Sequence, residues 1–343
     1  MKKYSVALFA LFLMLPILSS CGGNKSKNNT RAIKSTMEEY EITSIEDLAS
    51  VKADRAYQIG VSLPGSEDGY QSALVEELRA SAKEKSVELT VRHVTDGHEE
   101  QVKQLQEFVQ NKVDAIIVEV VDDHRSAELV EVVRRTPLIF LGRSPDIELK
   151  ANQMTYVGTN DEVVGKFQGE FLAEYFKAKE KDSVQLCLMN GDAKSKFIEK
   201  RVNALTKYLE ADDIRVELVY EGIGDWNKEK ARRELTKFLE TDTEFDAVVC
   251  QNDDMALGCV AALKDAELNP LSKPVVGMDG TTEALAALAE DELAFTVYQN
   301  TSAQGKASVD AAIFLANKEE NLSVFLDIPY EPVSKINLEK YPK

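Results

Sequence analysis

The hydrophobic pattern of this chain switches period repeatedly between that of a strand and that of a helix. Short apolar and β-branched runs, read as strands, fall at residues 57–63, 87–94, 115–118, 138–141 and 154–157, then at 184–189, 216–220, 247–250, 275–278 and 294–298. Between them, segments such as 73–84, 99–110, 163–176, 197–209, 229–239, 255–264 and 283–289 repeat apolar residues at i, i+3, i+4 and i+7, the spacing of one helix face. Alternation of this length predicts parallel sheets with helices on both faces, because parallel neighbours need a crossover connection. The strands are too numerous for one compact sheet, and two sheets of five or six fit better. The expected fold class is therefore α/β, with two doubly wound lobes. After a long helical stretch at 303–316, residues 324–333 are extended and interrupted by Pro329 and Pro332, which suits an edge strand or a crossing segment.

The N-terminal residues stand apart from this alternation. Lys2 and Lys3 precede an apolar run at 6–18 that is short for a membrane span and has the layout of a targeting signal. The run ends in Leu18-Ser19-Ser20-Cys21-Gly22-Gly23, which resembles the lipobox of bacterial lipoproteins. That resemblance implies a signal peptide over 1–20 and a mature protein lipidated on Cys21. Residues 21–54 read as a polar tether with a short helix near 45–48, and the globular body begins near Tyr57.

Composition removes several function classes. A net charge of -18 disfavours a nucleic-acid partner, which needs clustered Lys and Arg. Cys187, Cys250 and Cys259 lie inside apolar patterns without metal spacing, so they read as small buried hydrophobes. His93, His98 and His124 fall in no motif, and the chain lacks a P-loop, HExxH and a nucleophile elbow. Glu119 and Asp279 could be paired as a glycosidase acid and nucleophile. Nothing else supports that reading, and no enzyme and no cofactor are expected.

In an open α/β sheet, ligands bind outside the carboxyl ends of the strands, which makes the residues just past each strand the candidates. Asp68 and Tyr70 follow the first strand and Glu119 the third; Trp226, the only tryptophan, follows 216–220. Asn252, Asp279 and Gln299 follow the next three strands, and Arg201 lies early in the helix after 184–189. Each has an ordinary structural reading, such as a helix cap, a core ring or a solvated helix face. Together at one edge they suit a sugar: aromatic faces pack on ring C–H groups, while carboxylates, amides and arginine serve hydroxyls that both donate and accept. Asn252 is expected as a hydroxyl ligand, and its neighbour Asp253 as the cap of the following helix.

From about residue 57 onward, the motifs Tyr156-Val-Gly-Thr-Asn160, Gln251-Asn-Asp-Asp-Met-Ala-Leu-Gly258, Val276-Gly-Met-Asp-Gly280 and Thr296-Val-Tyr-Gln299 resemble the type I periplasmic sugar-binding proteins. The match is greatest to the galactose/glucose-binding branch. The resemblance implies two lobes, 55–159 with 299–327 and 160–298 with 328–343, joined by three crossings near Thr159-Asn160, Tyr298-Gln299 and Ile328-Pro329. Ligand is enclosed by hinge closure. By the same likeness Asp68 is a cleft carboxylate, Tyr70 and Trp226 cover the two sugar faces, Arg201 is the cleft arginine, Asn252 and Asp279 bind hydroxyls, and Gln299 is a hinge-side amide. The chain departs from that branch at Glu119, where the branch has asparagine, and at Ser195 and Phe197, where it has histidine and aspartate. Residues 177–183 lack the ladder of oxygen ligands of the branch's calcium loop, so no metal is expected there. The implied function is a monomeric, lipid-anchored extracytoplasmic solute-binding protein that delivers a monosaccharide or related polyol to an ABC permease. The anchor would sit in the cell membrane, or in the outer membrane or at the periplasmic face in a Gram-negative cell. A receptor subunit for a chemoreceptor or histidine kinase is the alternative.

Overall fold

A computed structural model describes residues 45–65, 68–193 and 195–341. The expected signal peptide, Cys21 and most of the tether lie outside the described residues. The body opens with α1 (Ile45–Leu48), β1 (Gln58–Pro64), α2 (Gly69–Glu84), β2 (Glu88–Val94), α3 (Gly97–Gln110), β3 (Ala115–Val118), α4 (Ser126–Val133), β4 (Leu138–Leu141) and β5 (Met154–Gly158). It continues with α5 (Glu162–Lys177), β6 (Ser183–Asn190), α6 (Lys196–Glu210), β7 (Arg215–Ile223), α7 (Lys228–Leu239), β8 (Ala247–Cys250), α8 (Asp253–Asp265), β9 (Val275–Val276) and α9 (Thr282–Ala289). The last elements are β10 (Thr296–Tyr298), α10 (Thr301–Ala316), β11 (Phe325–Asp327) and β12 (Glu331–Val333).

The strands form two parallel sheets, the first of six strands as expected and the second of four, fewer than the five or six expected. The first has the order β11-β5-β4-β3-β1-β2, every pair parallel. The second has the order β7-β6-β8-β9, again all parallel. Parallel bridges Val276–Phe295 and Asp279–Tyr298 bring β10 alongside β9, and β12 pairs antiparallel with β10. Strands β3, β4 and β8 are buried at every position, as apolar runs covered on both faces should be. The outer strands β2 and β7 carry the polar, partly exposed residues.

Each sheet has a core on either face. In the first, α2 and α10 cover one side through Leu74, Leu78, Ile313 and Phe314, while Leu105, Phe108, Leu129 and Val133 of α3 and α4 fill the other. In the second, α5 and α6 pack on one face with Phe176 and Leu205, and α7, α8 and α9 on the opposite one. The chain leaves the first sheet after β5 through Thr159 and Asn160, returns after β10 through Gln299, and leaves again between β11 and β12. Thr159 Oγ1 donates to Asp327, which ties the first crossing to the third.

One expectation is corrected at the N-terminal edge. Residues 45–54, expected in the tether, are part of the folded body. Leu48 is fully buried in the core beneath α10, Lys85 Nζ donates to the carbonyls of Ala49 and Val51 at 2.9 and 3.0 Å, and Asn317 Nδ2 donates to the carbonyl of Lys52 at 2.9 Å. A single leucine in a polar stretch gives a weak signal, and its burial site is created by residues far along the chain.

Helices α5 and α6 approach closely because Gly165 and Gly169 leave room. A Cβ at Gly165 would lie 1.9 Å from the Arg201 carbonyl oxygen, and one at Gly169 would lie 2.8 Å from that of Leu205. Backbone cannot yield as a side-chain tip can, so overpacking here costs about 1–3 kcal/mol. Gly165→Ala is expected to lower the thermal midpoint by several degrees in calorimetry, while Gly97→Ala, whose Cβ would meet nothing within 4 Å, exerts only the strain of its positive φ.

Candidate ligand-binding cleft

The carboxyl ends of the two sheets face one another, and the loops leaving them build a shared cavity. On the side of the first sheet, Asp68 caps α2 by accepting from the Gln71 backbone N–H at 2.7 Å. The cap aims the first turn, with Tyr70 and Gln71, into the cleft. Gln71 Nε2 donates to Glu119 Oε2 at 2.6 Å, and Arg143 Nε lies 3.1 Å from Glu119 Oε1. Arg143 follows β4 through Gly142, whose φ of 69° is a left-handed conformation that glycine adopts freely.

On the side of the second sheet, Phe197 and Arg201 stand one turn apart on α6, and the Arg201 guanidinium lies 4.9 Å over the Phe197 ring. Arg201 Nη2 is 3.5 Å from Asp161 Oδ1, and Nη1 donates to the Gln251 carbonyl at 3.4 Å. Asp225 and Trp226 both have positive φ, 48° and 58°, so the loop after β7 doubles back. It lays the indole against Gly191, where a Cβ would come within 2.0 Å. The indole also stacks on Phe197, with centroids 5.8 Å apart.

The cap of α8 falls to Asn252 and not, as expected, to Asp253. Asn252 caps α8, its Oδ1 accepting from the Met255 N–H at 2.9 Å while Nδ2 donates to the Trp226 carbonyl at 3.4 Å. Asp253 is not the cap. It is fully buried and accepts from Thr296 Oγ1 at 2.6 Å and from the Thr281 N–H at 2.8 Å, which fixes the loop that carries Asp279. Position N-cap and position N1 differ by one residue, and sequence spacing alone does not separate them.

Asp279 has φ 124°, a region that strains an L-residue and is held only when the surroundings over-determine it. Gln299 supplies that restraint, donating from its backbone N–H to the Asp279 carbonyl at 2.9 Å and from Nε2 to Oδ1 at 2.7 Å. The chain of bonds continues: Gln304 Nε2 donates to Gln299 Oε1 at 3.2 Å, and Tyr70 donates to Gln304 Oε1 at 3.0 Å. This relay joins the two lobes through the second crossing.

Burial dominates the electrostatics. It raises the Glu119 pKa, against the opposing pull of Arg143 and the Gln71 bond. It also raises Asp279 well above the usual carboxylate range, helped by repulsion from Asp253 and Asp68. Asp253 is pushed up to about 7 by burial, its hydrogen bonds opposing the shift.

Nine of the expected residues line one cavity: Asp68, Tyr70, Glu119, Phe197, Arg201, Trp226, Asn252, Asp279 and Gln299. Ser195 does not line it. Its Oγ lies 3.4 Å from Asp123 Oδ2, which also accepts from the Lys196 N–H at 3.0 Å, and the Lys196 ammonium pairs with Asp146. These contacts clasp the lobes outside the cavity. The one-turn geometry at the start of α6 turns Phe197 and Arg201 inward and Ser195 away. The lining also includes Gln71, Arg143, Gln251 and Tyr330, which are not among the expected residues. Arg143 and Gln251 stand just past strands and satisfied the rule used for the others, whereas Tyr330 comes from a proline-rich crossing without a periodic signal.

Paired α/β lobes with a polar and aromatic cavity between their strand ends define a two-lobed binding protein. Residues 59–320 match the family model described as the periplasmic binding protein domain, and the chain belongs to that family. It is 30% identical over 294 residues to the putative rhizopine-binding protein of Rhizobium meliloti, covering 84% of this chain and 94% of that one. It is 27% identical over 316 residues to the D-galactose/methyl-galactoside binding periplasmic protein of Haemophilus influenzae, covering 86% and 94%. Among solved structures, an ABC transporter solute binding protein from Bacillus halodurans with bound myo-inositol is 29% identical with a TM-score of 0.75, covering 83% of this chain and 96% of that one. These relatives are binding proteins rather than enzymes, and the family places the chain outside the cytoplasm. No helix among the described residues is long and apolar enough to cross a membrane.

Two outcomes follow from the Asn252–Asp253 pair. Asn252→Ala should lower stability by about 1 kcal/mol through loss of the cap, whereas Asn252→Ser should keep a capping oxygen and lose the Nδ2 donor; urea unfolding of both variants checks this. Asp253 holds its proton in the folded state from its ordinary value of 3.8 up to about 7, so its contribution to stability falls as pH rises through that window. The thermal midpoint of Asp253→Asn should accordingly vary less between about pH 4 and 7 than that of the wild type.

Proposed function

We propose that the protein captures a monosaccharide or related polyol in the cleft and delivers it to an ABC importer. The observation that carries this reading is a set of buried polar atoms without a partner among the described residues. Gln71 Oε1, Gln251 Oε1 and Arg201 Nε all belong to side chains lining the cavity. A buried polar atom left unpaired costs about 1–3 kcal/mol, and hydroxyls, which donate and accept, meet both kinds. The names of the relatives agree: galactose or methyl-galactoside for one, myo-inositol for another. The transporter assignment of the Bacillus halodurans relative favours import over a receptor role.

Residues 45–159 with 299–327 form one lobe in this reading and 160–298 with 328–343 the other, closing about the three crossings. Asp68, Tyr70, Arg201, Trp226, Asn252, Asp279 and Gln299 contact the ligand. A single copy suffices, since the cavity is built within one chain. The Leu18–Gly23 motif supports lipidation of Cys21, with residues 1–20 removed.

Isothermal titration and thermal shift against myo-inositol, D-galactose, D-glucose, D-ribose, D-allose and xylitol test the ligand class. At 100-fold excess over Kd a ligand adds about 2.7 kcal/mol, so a shift with at least one member is expected. Absence of binding by every member overturns the reading. Cys21→Ser should abolish incorporation of labelled fatty acid and release the protein from the membrane fraction.

A further inference from the structure

We infer that Asp123 and Asp254 are positioning residues of ligand capture. Each carries a carboxylate from one side of the cleft to a helix N-terminus on the other, and together they set how readily the closed form is reached. This rests on the reading of hinge closure around a polyol given above. The first N–H groups of a helix have no partner within it, and negative charge beside them is favoured by the helix dipole. Here two such groups are met from across the cleft. The Lys196 N–H, the first of α6, donates to Asp123 Oδ2 at 3.0 Å. The Gly69 N–H, the first of α2, donates to Asp254 Oδ2 at 3.0 Å. Asp123 follows β3 of the first sheet and serves a helix of the second, while Asp254 follows β8 of the second and serves a helix of the first. The two bonds are reciprocal.

Each contact is supported by its surroundings. Asp123 is buried, and its turn is held from its own side: Ser126 Oγ donates to the Asp123 carbonyl at 2.8 Å, and the Val121 N–H donates to Gln101 Oε1 at 3.2 Å. Ser195 occupies the N-cap position of α6 but makes no side-chain cap bond, its Oγ lying 3.4 Å from Asp123 Oδ2. Serine is among the residues best able to cap their own helix, yet α6 takes its cap from the opposite side. Separation of the lobes would return that N-terminus to Ser195 or to water, so the borrowed cap favours the closed form alone. The Lys196 ammonium adds an ion pair with Asp146, again across the cleft. At the other contact a Cβ on Gly69 would come within 3.2 Å of Thr281 Cγ2, and glycine lets α2 approach near enough for Asp254 to reach it. None of Asp123, Asp146, Lys196 and Asp254 lines the cavity. Their bonds therefore weigh on closing and leave the choice of ligand to the lining. Apparent Kd is the Kd of the competent state divided by that state's population. A clasp that raises the closed population tightens every ligand by one factor and slows its escape.

Calorimetry on the full mature protein measures Kd for every member of the panel above that binds, beginning with myo-inositol. It is applied to wild type, Asp123→Ala, Asp254→Ala and the double variant, and a chase of radiolabelled ligand gives the dissociation rate. Each single variant should raise Kd about 3- to 10-fold, the scale of a carboxylate at a helix N-terminus. The factor should agree between ligands to within about twofold, because one closing equilibrium is shared, and the double variant should lose more than either single. The loss should appear in dissociation, with association near that of wild type, a pattern that a general loss of stability does not produce. Circular dichroism and unliganded thermal midpoints establish that each variant is folded. If an alanine variant fails to fold, Asp123→Asn and Asp254→Asn keep the volume and remove the charge, and should show the same pattern at smaller size. Wild-type affinity in either single variant overturns the inference, as does a loss that differs from ligand to ligand or lies in association alone; the polyol reading then stands. Where one ligand alone binds, the split between the two rates decides. A wild-type protein that binds no member of the panel takes both down.

Discussion

Burying a carboxylate costs several kcal/mol unless fixed partners compensate it, and this cleft buries four: Glu119, Asp161, Asp253 and Asp279. The arrangement of the surrounding residues follows from that constraint. Asp161 lies beside Arg201 and accepts from Ser144. Asp253 is held by a threonine hydroxyl and backbone N–H groups, Asp279 by an amide from the crossing, and Glu119 by an arginine and a glutamine. Each partner is thereby fixed in turn. The acids thus act as orienting elements for amides, guanidinium groups and loops.

A second division lies between the interior and the rim. Inside, aromatic rings and partly satisfied polar groups set which shapes and hydroxyls fit. Outside, Asp123 on the Ser195–Lys196 turn, Lys196 with Asp146, and Asp254 accepting from the Gly69 N–H at 3.0 Å hold the lobes together without touching the cavity. Ser195 shows how a residue can stand at a position aligned with a binding residue and belong to the rim.

Much of the fold was legible in the sequence because a parallel strand buried on both faces is a short apolar run, and β3, β4 and β8 are such runs. The candidate cleft was legible to the extent that its residues follow strand ends, as Glu119, Asn252 and Asp279 do. What the sequence left hidden depends on long-range geometry. Which of Asn252 and Asp253 caps the helix is decided by Thr281 and Thr296, some 28 and 43 residues further on. The burial of Leu48 is decided by α10, and the engagement of Glu119 by Arg143 requires β3 and β4 to be neighbours in the sheet. Local pattern reports which residues reach an edge, and only the packed structure reports which of them are already occupied by one another.

The attachment of residues 45–55 has a mechanical consequence. Leu48, the Ala49 and Val51 carbonyls, Lys52 and Arg55 are fastened to α2, α10 and Asp114, all in the lobe of the first sheet, at the amino ends of its strands and away from the cavity. Any load entering the body from its N-terminal side is borne by that lobe alone. Among the described residues the bonds and core contacts of this segment fall in the lobe of the first sheet, so a closure about the crossings, as proposed above, would swing the second lobe relative to this segment.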